Sequence, residues 1–201
     1  MTTAPRFILA SGSAIRAKVL TAAHVPFAVD APHVDEDAVK LSARADGWSV
    51  EDTAEALAAL KAEKVSARQP GALVLGCDQM LELEGDWLDK PADMTEARSH
   101  LERMSGKTHH LVGGAVIYLD GQRIWSHRSR CGLTMRPLGE AYITWYLQQA
   151  GEDILASVGA YMLEELGAQL FERIDGDYFS ILGTPLLPLL GFLREHGVVP
   201  S

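Results

Sequence analysis

A lone carboxylate, Asp78, follows an apolar run at residues 73–75 that ends on Gly76. Short apolar runs bounded by proline and glycine are typical of buried strands. A buried carboxylate is costly unless it has a partner, and open α/β folds bind ligands at the carboxyl ends of their strands. Asp78 is therefore a candidate catalytic residue at a strand end. A hairpin that uses Asp78 only as a turn residue fits the same pattern.

Ser11 and Arg16 form a second candidate group near the start of the chain. Residues 7–10 predict a short strand, residues 11–13 a tight polar turn, and residues 14–23 a helix. Unpaired N–H groups at a helix N-terminus, together with serine hydroxyls, suit a bound anion. Arg16 in the first turns opposes the helix dipole, and an anion would offset that cost. The alternative is an ordinary strand–helix turn with basic residues at the surface.

Three consecutive carboxylates, Asp35, Glu36 and Asp37, fall in a predicted loop over residues 30–37. One interpretation is a solvated acidic loop. The other is a source of oxygen ligands for a hard cation such as Mg²⁺, which binds carboxylates together with substrate phosphates. The pattern alone leaves both open.

Two lysines stand where they could reach a ligand. A capping box at residues 49–52 predicts a long helix to about Arg68, and Lys61 lies at the edge of its apolar stripe. There it either extends along the surface or points into a site. Lys90 precedes Pro91, which stiffens the backbone.

Composition narrows the class of protein. Of 201 residues, 18 are basic and 27 acidic, for a formal net charge of −9. This balance disfavours a polymeric nucleic acid or an anionic membrane as partner, but it allows a small anionic ligand where a local basic cluster or a divalent cation receives it. Two cysteines provide no disulfide framework, and no apolar run reaches membrane-spanning length. A cytoplasmic location is the prediction.

The remaining elements predict a mixed α/β fold. Residues 108–119 and 122–135 are β-rich and flank Asp120 and Gly121, a strong hairpin signal. Thr95 is the predicted cap of a helix to Met104. Further segments are a strand at 25–29, a helix at 138–149, a strand at 170–174 and a helix from Pro185 to about Glu195. The spacing of the histidines near the hairpin matches no usual metal site.

Eight short motifs occur in order along nearly the whole chain. They are ILASGS at 8–13 with Arg16, VDE at 34–36, LKA at 60–62, GCDQ at 76–79, KP at 90–91, SGKTH at 105–109, GAY at 159–161, and IDGDY at 174–178 with LGTP at 182–185. Together they resemble the Maf family of nucleoside triphosphate pyrophosphatases. The resemblance implies a single α/β domain over residues 1–201, with an elongated mixed β-sheet, flanking helices and a cleft between two lobes.

The resemblance also implies an activity. Such a protein is a hydrolase that uses Mg²⁺ or Mn²⁺ to cleave a nucleoside triphosphate between the α- and β-phosphates, and it commonly forms a homodimer. Asp78 takes the place of the proton acceptor that activates water. The phosphate-binding positions fall on Ser11, Arg16, Lys61 and Lys90. The cation-binding carboxylates are Glu36 and Asp78.

Base choice in this family depends on positions that fall here on Ile15, Gln79 and Glu164. Members acting on thymidine and uridine triphosphates have Arg, Thr and Gln there, whereas 7-methyl-GTP members have Trp, Gln and Glu. A carboxylate at 164 can accept hydrogen bonds from the N1–H and N2–H₂ edge of guanine. Ile15 departs from the pattern because it cannot stack a methylated purine as Trp does.

Three other departures from the family pattern are Ala14 for proline, Asp89 for glycine, and Gly113 near a usual threonine. The departures at Ala14, Ile15 and Asp89 motivate an alternative function: a nucleotide-binding regulator of septum formation or cell division with little turnover. A third hypothesis is an α/β binding module with no nucleotide role.

Overall fold

The computed structural model of the chain describes residues 5–201. The strands are β1 (Phe7–Leu9), β2 (Ala28–Val29), β3 (Leu73–Leu83), β4 (Asp86–Leu88), β5 (Thr108–Leu119), β6 (Gln122–Met135) and β7 (Phe171–Asp175). The α-helices are α1 (Ala14–Ala22), α2 (Glu36–Ala45), α3 (Val50–Ser66), α4 (Met94–Met104), α5 (Glu140–Ala150), α6 (Tyr178–Ile181) and α7 (Leu186–Glu195). Two 3₁₀ helices cover Gly151–Ala156 and Leu166–Leu170.

The strands form one mixed sheet in the order β2-β1-β3-β5-β6-β7, with β4 pairing with β3. Strand β1 is parallel to β2 and to β3, whereas β4 is antiparallel to β3 and β7 antiparallel to β6. The predicted α/β class with a mixed sheet and flanking helices is confirmed. Among the described residues, no helix is long and apolar enough to cross a membrane.

The hairpin between β5 and β6 has the predicted bounds and turn. Asp120 and Gly121 both have positive φ, 48° and 76°. That combination defines the two-residue turn whose twist matches the twist of the flanking strands. The local sequence signal was sufficient because the turn needs only these two residue types.

Several predicted boundaries are wrong. Strand β3 does not end near Asp78 but continues to Leu83, because its far end pairs with β4 after the turn at Glu84 and Gly85. The predicted strand at residues 25–29 shrinks to Ala28–Val29. The cap of α4 is Asp93 rather than Thr95, since the Asp93 carboxylate accepts from the backbone N–H groups of residues 95 and 96.

The acidic segment includes the start of a helix: residues 30–35 are irregular, as predicted, but Glu36 and Asp37 are helical. Helix α2 begins at Glu36, and the Asp35 side chain caps it by accepting from the Ala38 N–H at 3.0 Å. Acidic residues in the first turn favour the helix dipole, which explains why three carboxylates suit a helix start. The loop prediction missed the N-cap role of Asp35.

The chain divides into two compact units. Unit 1 comprises the described residues through Gln79 together with Gly113–Ser129 and Asp177–Ser201, and unit 2 comprises Met80–Val112 and Arg130–Gly176. In unit 1, the alternation of β3 separates two groups of apolar residues. Leu73, Leu75 and Cys77 belong to the core formed with α1 and α7, whereas Val74 packs with Ala62 and Val65 of α3.

Unit 2 contains a buried aromatic cluster around His109. The His109 ring is fully buried, its Nε2 lies 2.8 Å from the Tyr161 hydroxyl, and its centroid lies 5.8 Å from that of Phe171. Burial lowers the pKa of His109 from 6.5 to about 4, with a smaller effect from His110. The ring is therefore neutral near pH 7.

This burial predicts a pH-dependent stability. Below pH 6.5 the unfolded chain protonates His109 while the folded protein resists until about pH 4. As the pH falls from 6.5 to about 4, the contribution of His109 should therefore lower the free energy of unfolding by about 3 kcal/mol. Urea unfolding at pH 4–7 measures this dependence for the wild type and for His109→Phe. The variant should lose part of the change in unfolding free energy with pH. The control His33→Gln, which replaces an exposed histidine, should keep the wild-type dependence. Equal slopes in all three would contradict the assignment.

Candidate active site

Helix α3 approaches strand β3 closely enough to bring their side chains together. A Cβ at Gly76 would overlap the carbonyl oxygen of Ala58 and lie 2.8 Å from the nitrogen of Ala62. A Cβ at Gly114 on β5 would lie 2.7 Å from the Cα of Glu55. Only glycine allows this backbone contact, so these two positions determine where α3 lies on the sheet.

Lys61 and Asp78 meet on this side of the sheet. Asp78 follows Gly76 by two residues and thus points to the same face. The Lys61 Nζ donates to Asp78 Oδ1 at 2.5 Å and lies 2.6 Å from Glu36 Oε1. Lys61 and Asp78 are 8% and 5% exposed, so water screens their attraction poorly. Lys61 thus points into the site and joins two of the predicted residues, Asp78 and Glu36.

Ser11 and Arg16 form a separate group at the β1–α1 turn. The Arg16 guanidinium donates from Nη1 to the Ser11 hydroxyl and from Nε to the Gly183 carbonyl, each at 3.0 Å. Within residues 5–201, no carboxylate forms an ion pair with Arg16, and the first turn of α1 has no acidic residue. Its half-buried positive charge is held by neutral oxygens alone, an arrangement that suits an anion.

The charges of Arg16, Lys61 and Asp78 all act on the buried Cys77. Burial raises the pKa of the Cys77 thiol to about 11, with smaller opposing effects from the positive charges of Arg16 and Lys61. The three charged side chains therefore lie around one segment of β3. The thiol stays protonated at neutral pH and is not a nucleophile.

Gln79 and Ile15 are the base-selecting candidates in unit 1. The Gln79 amide nitrogen donates to the carbonyl oxygens of Ser180 at 2.8 Å and Ile181 at 3.1 Å. Both donor hydrogens are thereby used, which leaves Oε1 as an acceptor. Ile15 is half-buried in α1, next to Arg16.

Two predicted site residues belong to unit 2. Lys90 is exposed just after β4, and Glu164 is half-buried between the two 3₁₀ helices. Their roles in binding phosphate and reading the base stay predictions.

The sequence analysis missed two features that support the site. Gly183 supplies the carbonyl that holds Arg16, and the LGTP motif was the signal for it. Glu55, buried in α3, accepts from Arg128 Nε at 2.6 Å and pairs with Arg123. This pairing ties α3 to β6 and so helps position Lys61. A charged residue at a buried helical position was its only sequence signal.

The Glu36 and Asp78 carboxylates are the candidate cation ligands, since one oxygen of each lies against the Lys61 ammonium. Among residues 5–201, no three His, Cys, Asp or Glu side chains form a group that could hold a metal ion. Two carboxylates facing one position nevertheless fit Mg²⁺, which uses one or two protein carboxylates and takes other ligands from water and substrate phosphates. The residues fit a cation shared with a substrate rather than one held by protein alone.

Fold and site together define an α/β protein in which Arg16 is held by neutral oxygens at the turn after β1, and Lys61 pairs with the buried Asp78 on the neighbouring parallel strand β3. The model of the family described as Maf-like protein matches residues 6–196. The chain therefore belongs to the Maf-like protein family.

Similar proteins with known names cover nearly the whole chain. A nucleoside triphosphate pyrophosphatase of Paramagnetospirillum magneticum is 52% identical over 190 residues, 94% of this chain and 98% of that protein. A nucleoside triphosphate pyrophosphatase of Granulibacter bethesdensis is 50% identical over 191 residues, which cover 95% of this chain and 97% of that protein. A 7-methyl-GTP pyrophosphatase of Mesorhizobium japonicum is 48% identical over 194 residues, 96% and 98% of the two chains.

Proposed function

We propose that this protein hydrolyses nucleoside triphosphates between the α- and β-phosphates and releases a nucleoside monophosphate and pyrophosphate. The observation that carries the proposal is the buried Asp78 carboxylate held by Lys61 on the strand that lies beside the Ser11–Arg16 turn. The names of relatives about half identical in sequence support the same activity.

The residues of unit 1 divide the chemistry between them. Arg16, Ser11 and the N-terminus of α1 bind phosphate oxygens and neutralise charge on the polyanion. Asp78 accepts the proton of the attacking water. Lys61 orients Asp78 and adds positive charge near the phosphates. Lys90 is proposed as a further phosphate contact.

Glu36 and Asp78 would hold a divalent cation, Mg²⁺ or Mn²⁺, together with phosphate oxygens. Such a cation supplies charge neutralisation at the phosphates and lowers the pKa of a bound water. These local positive charges account for binding of a polyanion by a protein of net charge −9.

The hydrolase hypothesis is favoured over a regulator with little turnover. Ala14, Ile15 and Asp89 motivated the regulator, whereas the Lys61–Asp78 pair and the Ser11–Arg16 contact support the proposed hydrolase. The relatives' names describe catalysis. A homodimer and a cytoplasmic location remain predictions.

The proposed base preference is guanine, with 7-methylguanine as a candidate. Gln79 offers an acceptor oxygen because its donors are bonded to α6. Glu164 offers a second acceptor, and guanine presents N–H donors at N1 and N2. A relative named 7-methyl-GTP pyrophosphatase adds support, whereas Ile15 lacks the aromatic ring that would stack a cationic base.

Turnover on a panel of triphosphates tests the proposal. Pyrophosphate release from GTP, 7-methyl-GTP, ATP, CTP, UTP and dTTP would be measured with Mg²⁺ and with Mn²⁺. We expect turnover on GTP or 7-methyl-GTP to exceed that on UTP and dTTP, because uracil and thymine lack the paired donors. Faster turnover on UTP or dTTP would overturn the role of Glu164, and no pyrophosphate from any substrate would overturn the hydrolase.

A further inference from the structure

One ammonium group bridges the two carboxylates of the site. The Lys61 Nζ lies 2.5 Å from Asp78 Oδ1 and 2.6 Å from Glu36 Oε1. Both oxygens therefore face a single position that already contains a positive charge. Asp78 and Lys61 are buried, whereas the Glu36 side chain is 41% exposed, and two facing carboxylates without a cation between them would repel each other. Lys61 serves as their counter-ion.

A divalent cation held by Glu36 and Asp78 would compete with the Lys61 ammonium for these two carboxylates. An ammonium nitrogen between two carboxylates and a divalent cation between them cannot coexist, because they would occupy overlapping positions and repel each other. Lys61 has a long, flexible stem with a single charged nitrogen, so it can leave one carboxylate for another anion without disturbing its helix. Phosphate oxygens of a bound nucleotide would be such an anion.

The choice of lysine at this position fits a displaceable contact. Other carboxylates of unit 1 are held by arginine: Arg68 bonds both oxygens of Asp30, and Arg128 pairs with both Glu55 and Asp52. Forked guanidinium contacts hold a carboxylate in a defined geometry. Glu36 and Asp78 are instead held by a lysine, whose single charged nitrogen can exchange one oxygen partner for another.

We propose that Lys61 is an internal cation that occupies the divalent-cation position in the nucleotide-free protein and is displaced when the metal binds. The inference rests on the proposed function, since it takes Glu36 and Asp78 as cation ligands. It adds that Lys61 competes with the metal before it contacts phosphate. Removing its charge should therefore tighten metal binding, whereas a lysine that only positions Asp78 would weaken it when removed.

Calorimetric titration with Mn²⁺ alone, without nucleotide, tests this competition. Lys61→Met should bind Mn²⁺ about tenfold more tightly than the wild type, because a like charge next to the ion is gone. The matched control is Lys64→Met, which removes the same charge from the same helix, where Lys64 bonds only the His33 carbonyl. Its affinity should equal that of the wild type. Unchanged or weaker binding by Lys61→Met, or equal gains in both variants, would overturn the proposal.

A second measurement uses the wild-type protein and so does not depend on the folding of a variant. Lys61, 8% exposed, should react slowly with an amine-acylating reagent in the metal-free protein. Saturating Mn²⁺ should raise its labelling several-fold, measured by peptide mass spectrometry, with Lys64 as the internal reference. Labelling of Lys61 that does not respond to bound Mn²⁺ would overturn displacement.

The two failures are distinguishable. Pyrophosphate release by the wild type without a gain in Mn²⁺ affinity in Lys61→Met would leave the hydrolase intact and remove the competition. A gain in affinity without turnover on any triphosphate would support the competition at a cation site of a protein that is not a pyrophosphatase.

Discussion

Replacing Asp78 by asparagine is expected to slow pyrophosphate release by about 10²–10⁴-fold, the range contributed by a positioned general base. Asparagine keeps the shape of the side chain and an oxygen for the Lys61 ammonium, but it cannot take a proton from water. The loss should appear in kcat more than in KM, because the proposed phosphate contacts of Ser11 and Arg16 would remain. Initial rates with the best substrate of the panel measure it.

Asp86→Asn is the matched control for the Asp78 variant. Asp86 is also a carboxylate in an ion pair, 2.7 Å from Arg103, but it lies on the surface of unit 2. The rate of pyrophosphate release by Asp86→Asn should stay within about twofold of the wild-type rate, since surface ion pairs contribute little to stability. A rate for Asp78→Asn equal to that of the wild type would show that another group accepts the proton.

Gly76→Ala is expected to destabilise the protein by about 3 kcal/mol or more, at the upper end for overpacking. The added Cβ would overlap the Ala58 carbonyl oxygen and crowd the Ala62 nitrogen. These obstacles are backbone atoms of α3, so the helix must shift as a whole. Because the shift moves Lys61 away from Asp78, turnover should fall as well. Chemical denaturation and initial rates check both effects.

Gly191→Ala provides the comparison for this substitution. Gly191 lies within α7, and a Cβ there would meet no atom within 4 Å apart from its chain neighbours and the backbone of its own helix. Alanine in a helix should leave stability unchanged or raise it by up to about 1 kcal/mol. If both glycine variants had the same stability, close packing of α3 on β3 would not be what Gly76 provides.

Features that depend on neighbouring residues were predictable from the chain. The β5–β6 hairpin was correct because Asp120 and Gly121 satisfy its turn by themselves. Ser49 caps α3 as the pattern indicated, with its hydroxyl accepting from the Asp52 N–H at 3.0 Å. The α/β class followed from the alternation of such local signals.

One error arose where pairing with another strand decides the outcome, and a second where a local helix cap was overlooked. Strand β3 continues past Asp78 because β4 pairs with its far end, so Asp78 lies within a strand instead of at its end. Asp35 begins a helix although the acidic run resembled a loop. In both cases the local residue types allowed two conformations, and pairing or capping chose between them.

The sequence by itself determined which residues can do chemistry: a carboxylate at 78, cations at 16 and 61, and an acidic group at 36. It did not determine that Lys61 lies between Glu36 and Asp78, which are 25 and 17 residues away along the chain. That arrangement depends on the register of α3 against β3, which Gly76 and Gly114 allow by letting the backbones touch. Register is a property of packed surfaces, so only the tertiary structure could place the lysine between the two carboxylates.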